Sequence, residues 1–261
     1  MKEKILLAEL PARSSLKERV TALQRILEQA DLQRFIQPRD KVAIKTHFGD
    51  VDNDTHIAPE LIRPVADLVK KIGGLPFLTE TSTLYSGPRQ NAITHIELAY
   101  EHGFTFERTG VPIIMCDGLL GNAELEVSIP GQLYRKVNIA RDAVLADALI
   151  LLSHPTGHMV TGLGACLKNL GMGLSSRKGK MLQHSSIKPE INRDKCTFCG
   201  QCLIWCPEKA IIEQESKAFI VSNQCIGCGE CLAVCKFNAV KYNFQVQSAD
   251  IQQRMAEYAL G

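Results

Sequence analysis

The chain has 261 residues, of which 45% are apolar and 22% charged, with a net charge of +2. That is enough chain for one sizeable core plus a small module, or for two domains, and the charge balance gives no sign of a nucleic-acid partner. No segment reaches the roughly 18 uninterrupted apolar residues of a membrane helix. The apolar run in "MKEKILLAEL" is too short for a secretion signal and is broken by Glu9 and Pro11, so a cytoplasmic location without membrane partners is expected.

In chain order, "KILLAEL" and "KVAIKTHFG" read as buried strands. Between them "SLKERVTALQRILEQADLQRFI" has helical spacing of apolar residues, with Ser14 or Ser15 as cap. A helix is predicted from about Pro59 through "PELIRPVADLVKKIGG", opened by proline and closed by the glycine pair. The strand "LPFLTET", the helix "NAITHIELAYEHG", the strand "VPIIMCDG", a β-pair around "ELEVSIP" and "LYRKVNIA", and the strand "DALILLS" follow. Strands alternating with helices imply an α/β domain over residues 1–190, a largely parallel sheet with helices on both faces. Ligands bind beyond the carboxyl ends of such strands. This singles out the loops Lys45–Gly49, Thr79–Tyr85 and Ser153–His158, with Lys45, His47, His154 and His158 as candidate polar groups. Asp50, Asp52 and Asp54 read as a solvated loop, and Cys116 and Cys166 as small buried hydrophobes.

The segment from Lys168 to Lys188 contains no acid and carries Lys168, Arg177, Lys178 and Lys180. Gly162, Gly164, Gly171 and Gly173 would let backbone N–H groups approach an anion, and Arg177 and Lys180 would complement its charge. An additional anionic ligand or cofactor is one reading; the other is packing glycines beside a solvated basic face. Neither a Walker A motif nor a dinucleotide fingerprint is present.

Eight of the ten cysteines lie between Cys196 and Cys235, which favours metal over disulfides. "CTFCGQCLIWCP" and "CIGCGECLAVCK" repeat C-x2-C-x2-C-x3-C. Three close thiolates on a tight loop cap three irons of a cube, and the fourth reaches the other cube. Cys196, Cys199, Cys202 and Cys235 are thereby assigned to one [4Fe-4S] cluster, and Cys225, Cys228, Cys231 and Cys206 to the second. Zinc has no use for the third cysteine of each run. Lys236 stands where a proline follows the fourth cysteine of the first motif, which should relax the turn and favour the reduced state nearby. "AIIEQESKAFIV" reads as a hairpin between the motifs, and Trp205 and Phe198 as water-excluding or ordinary packing groups.

Residues 191–245 resemble the bacterial two-cluster ferredoxins. "KTHFGD", the string "HPTGHMVTGLGACLKNLGMGLSSRKGKMLQH" and the cysteine module together resemble the family called domain of unknown function 362, in its iron–sulfur form. That resemblance implies cluster binding and brings no established reaction. Members of this type extend further, so residues 246–261 read as the opening of a helix in a short or truncated chain. His158, Gly162, Lys168 and His184 follow H-x3-G-x5-K-x15-H, similar to a string of the lactate racemase family. There the resemblance implies a cofactor tether at Lys168, a nickel ligand at His184 and an acid or base at His158; the loop "TETSTLY" lacks the further histidine of that family. The function expected is electron transfer by two [4Fe-4S] clusters to or from a small-molecule site at Lys45, His47, His158, Lys168 and His184, with a redox partner protein or small-molecule substrate. A non-enzymatic carrier or docking module and a racemase-like enzyme with structural clusters are the alternatives.

Overall fold

The computed structural model describes residues 5–158, 161–184, 188–242 and 250–261. They form two compact units, one of residues 1–80, 96–114 and 145–154, the other of residues 81–95, 115–144 and 155–261.

The first unit is built on a four-stranded sheet in the order Ile113–Met115, Leu75–Glu80, Lys41–Lys45, Ala148–Leu151. Lys41–Lys45 pairs in parallel with both neighbours, Lys45 lying opposite Thr79 and Leu151. Its run Val42, Ala43 and Ile44 is fully buried, as expected of a central parallel strand covered on each face. The helix Ile62–Ile72 presents Ile62, Val65, Ala66 and Val69 at helical spacing and packs them on strand Leu75–Glu80. Each large side chain so buried contributes roughly 1.5–3 kcal/mol. Pro59 opens the 3-10 turn before this helix, and Gly73 ends it in the left-handed region at φ 98°. The α/β class with helices packed around a parallel sheet holds.

Helix Leu16–Gln29 starts at a capping box, with the Ser15 hydroxyl accepting from the Glu18 N–H and the Glu18 carboxylate accepting from the Ser15 N–H. It ends at Gln29, short of the predicted Ile36; Leu32–Arg34 form a separate 3-10 turn. "KILLAEL" is not a buried strand. Residues 5–10 carry no regular structure and expose Ile5 and Leu7, since a short apolar run fixes neither a pairing partner nor a buried position.

The second unit contains the antiparallel pair Glu124–Ser128 with Lys136–Ala140, the helices Cys166–Gly171 and Arg177–His184, and the cysteine segment. Helix Ile251–Tyr258 packs on both those helices. A Cβ at Gly171 would run into the Met255 carbonyl, and one at Gly179 into the Asn138 carbonyl. Two glycines of the basic segment are thus close-packing positions. Among the described residues no helix is long and apolar enough to cross a membrane.

Candidate functional site

The cysteine repeat is repeated in the backbone. Cys199 and Cys228 are each followed by a glycine in the left-handed region, Gly200 at φ 76° and Gly229 at 81°, from which the helices Gln201–Ile204 and Glu230–Val234 start. Phe198 and Gly227 match at φ 50° and 71°, and Lys209 and Asn238 both adopt φ 50°. Three residues after Cys206 and Cys235 the chain turns in the same way, and the Ala210 and Ala239 N–H groups donate to Cys206 and Cys235 Sγ at 3.2 and 3.3 Å. The turn beyond Cys235 is therefore not relaxed by Lys236: the N–H to sulfur bond and the positive φ of Asn238 set it without proline. Each motif is flanked by strands that close on themselves. Ile211–Gln214 pairs with Lys217–Ile220 through Glu215 and Ser216, both at positive φ, and Val240–Lys241 pairs with Glu190–Ile191.

These turns gather the sulfurs into two sets. Cys196, Cys199, Cys202 and Cys235 line one pocket, with Phe198 and Ile191 in its wall and about 360 Å³ of empty space, open solvent included. Cys206, Cys225, Cys228 and Cys231 line the other, with Pro207, Ile211 and Ile220 and about 330 Å³. The fourth cysteine of each motif thus stands in the pocket of the other. The sulfurs ring their pockets; among the described residues no three His, Cys, Asp or Glu side chains are grouped to hold a single ion. Burial pushes the Cys202 thiol up to about 11, helped by Cys196, Cys235 and Cys199. Burial likewise raises Cys231, with Cys228 and Cys225 next in effect. Crowded buried thiols such as these resist ionisation unless a cation compensates them, so the donor set fits a bound metal group. Ala218 and Gly227 add N–H bonds to Cys196 and Cys225 Sγ, each at 3.4 Å. Trp205 is exposed and lines neither pocket.

The residues predicted for the α/β site are shared between the two units. Lys45 and His47 belong to the first unit, as does His154; His158, Lys168, His184 and the basic segment belong to the second. Lys45, fully buried, pairs with Glu80, at the start of the Thr79–Tyr85 segment that the sequence singled out. His47 is exposed and its Nδ1 accepts from the Gly49 N–H at 2.9 Å. Nearby in the same unit His56 and His102 stack with centroids 4.7 Å apart, and His102 Nδ1 bonds the Phe48 carbonyl. Asp50, Asp52 and Asp54 are exposed, as a solvated loop should be.

His158, Lys168 and His184 all belong to the second unit, near enough to act on one another electrostatically. Burial, then Lys168, then His158 hold the His184 imidazole down to about 4, and burial and Lys168 lower His158 as well. The His158 Nδ1 accepts from the Thr161 N–H at 3.2 Å, which leaves the proton on Nε2. The stem of Lys168 passes along Gly164. Gly162, at φ 72°, opens the strand Gly162–Gly164, which pairs antiparallel with Thr156–His158, and the Gly173 carbonyl accepts from Thr81.

Arg177 and Lys180 do not form a solvated face. Both are buried. Lys180 donates to Thr81 Oγ1 and the Ser175 carbonyl, and the Arg177 guanidinium donates to the carbonyls of Leu120, Thr83 and Gln90. Asp117, wholly buried, accepts from the Ser82 N–H at 2.7 Å; burial raises its pKa against the pull of Lys180 and Arg177. Cys116 is buried but Cys166, at the start of its helix, is exposed.

The family model described as domain of unknown function (DUF362) matches residues 42–261. The chain belongs to the DUF362 family. Shorter similarities join this DUF362 chain to curated proteins. It is 41% identical over 49 residues to the pyruvate synthase subunit PorD of Methanothermobacter marburgensis, covering 19% of this chain and 57% of that protein. It is 61% identical over 28 residues to the pyruvate synthase subunit PorD of Pyrococcus furiosus, covering 11% and 27%. The chain therefore spans little more than half the length of one of these relatives and about a quarter of the other.

Proposed function

We propose that this DUF362 protein holds two [4Fe-4S] clusters and passes electrons to or from a small-molecule site at His158, Lys168 and His184. One observation carries the reading: the fourth cysteine of each motif lines the pocket of the other motif. Four thiols spread around a pocket suit a cube with one thiolate per iron, whereas zinc gathers its ligands at one point. Under this reading Cys196, Cys199, Cys202 and Cys235 hold one cluster and Cys225, Cys228, Cys231 and Cys206 the other. The clusters would supply one-electron chemistry. The chain buries the sulfurs and directs N–H groups of Ala210, Ala218, Gly227 and Ala239 at them, which favours the more reduced state. Similarity to a subunit of pyruvate synthase supports a redox partner protein.

Protein purified without oxygen should be brown and carry about eight irons and as many acid-labile sulfides per chain. Colourless protein with zinc, or with oxidised cysteines, would overturn the assignment.

The electrostatic influence of Lys168 and His158 on His184 favours a second reading, a racemase-like or isomerase-like site beside structural clusters. A neutral His184 is a competent metal ligand at pH 7. Intact mass spectrometry decides it: a nucleotide-derived adduct on Lys168 with bound nickel supports this reading, and an unmodified Lys168 in cell-derived protein removes it.

A further inference from the structure

Arg177 is a charge that the fold has placed with unusual care. It opens helix Arg177–His184 and is 1% exposed. All four of its side-chain hydrogen bonds end on neutral backbone oxygens: Nε and Nη2 on Leu120 at 3.1 and 2.9 Å, Nη1 on Thr83 at 3.1 Å, Nη2 also on Gln90 at 2.7 Å. Carbonyls satisfy donors without supplying a counter-charge. The aliphatic stem passes the loop between Cys228 and Cys231: its Cγ and Cδ lie 3.2 and 3.4 Å from where a Cβ of Gly229 would stand. Gly229 lines the pocket of Cys206, Cys225, Cys228 and Cys231. The titratable groups that act on Arg177 are Asp117, Tyr242, Glu230 and Cys231, and of these Asp117, Tyr242 and Cys231 are poorly able to ionise, being buried.

The other pocket has weaker cations. Lys217 Nζ donates to the Cys196 carbonyl at 2.5 Å but is half-exposed, and Lys236 is exposed. Solvent and salt screen such charges, whereas a buried guanidinium keeps most of its field.

Resting on the two-cluster reading, we propose that Arg177 sets an asymmetry between the two sites, raising the reduction potential of the one held by Cys206, Cys225, Cys228 and Cys231 so that the first electron resides there. The physical reason is charge: each electron added makes the thiolate-ligated group more negative, and a buried cation nearby stabilises that state. Arg177 acts as a tuning residue without ligating anything; Lys236, beside Cys235, would act on the other site.

The test is a potentiometric titration of the full chain, prepared without oxygen, with dithionite as the one-electron donor and electron paramagnetic resonance as the readout. The native protein should show two steps. Arg177→Gln should lower the upper step by at least tenfold in its reduction equilibrium, 59 mV for one electron, with the lower step unmoved, and Arg177→Lys should restore most of it. An unmoved upper step, two steps that move together, or a single unresolved step in the native protein overturns the proposal. Should Arg177→Gln not fold, Glu230→Gln serves: Glu230 lines the same pocket and is half-buried, and loss of its charge should raise the upper step alone. An unmoved upper step there is equally fatal. Iron content of the native protein is read first, and its absence sinks the cluster reading rather than the role of Arg177.

Discussion

Lys45 and Glu80 form an ion pair of 2.6 Å at the carboxyl ends of adjacent parallel strands, with side-chain exposures of 0% and 6%. The pair joins two of the strand-end segments that the sequence offered for chemistry. Removing one member of such a pair leaves the other charged and buried, at a cost of about 3–5 kcal/mol. Glu80→Gln should lower the urea midpoint sharply, and Lys45→Met with Glu80→Leu should recover much of the loss. If the single and double variants are equally unstable, the pair is not what Lys45 contributes.

Cys235 is the fourth cysteine of its own motif but lines the pocket of Cys196, Cys199 and Cys202. Cys235→Ala and Cys196→Ala should therefore damage the same site. Each should reduce iron from about eight to about four per chain, and the double variant should lose no more. Cys235→Ala with Cys225→Ala should empty both. Additive loss in the first double variant contradicts the interchange.

His184 is held at about 4, by burial, by Lys168 and by His158, against an ordinary value of 6.5. Between those values the unfolded chain takes up a proton that the native chain refuses. The stability this provides is complete above pH 6.5 and drains away as pH falls toward 4. Lys168→Met should raise the titration of both His184 and His158, as read from imidazole ring protons by nuclear magnetic resonance. A His184 that titrates near 6.5 in the native protein would mean that it is neither buried nor under the influence of Lys168.

Glu257 ties helix Ile251–Tyr258 to a turn by accepting the backbone N–H groups of Gln132, Leu133 and Tyr134 at 2.9–3.0 Å. Burial acts to raise its pKa, but those N–H groups and Gln253 outweigh it and hold the carboxylate below the usual range. Its contribution is present above the ordinary carboxylate pKa and lost as pH falls through the lowered one. Glu257→Gln should cost roughly 1–3 kcal/mol at pH 7 and less in acid, measured by denaturant melts across pH. An equal loss at every pH would assign the effect to packing.

The parallel sheet was legible because its strands are unbroken apolar runs between amphipathic helices, as at Val42–Ile44 and Ile62–Val69. The hairpin around Glu215 and Ser216 was legible from its alternation. Residues 5–10 misled because apolar content alone does not supply a neighbouring strand. Arg177 and Lys180 misled for the opposite reason: cations in a row suggest a surface, and only the carbonyls and hydroxyls that meet them from distant segments make burial tolerable.

By itself the sequence determined what is local. Repeat spacing dictated two equivalent sulfur-bearing turns, and helical and strand periodicity dictated the elements, because both are properties of neighbours along the chain. Only the tertiary structure decided which Glu answers Lys45, which carbonyls hold Arg177, and that Lys168 and His158 act on a buried His184. Those are contacts between residues tens of positions apart, and the free energy that selects them comes from desolvation and charge in the packed interior, which no local pattern records.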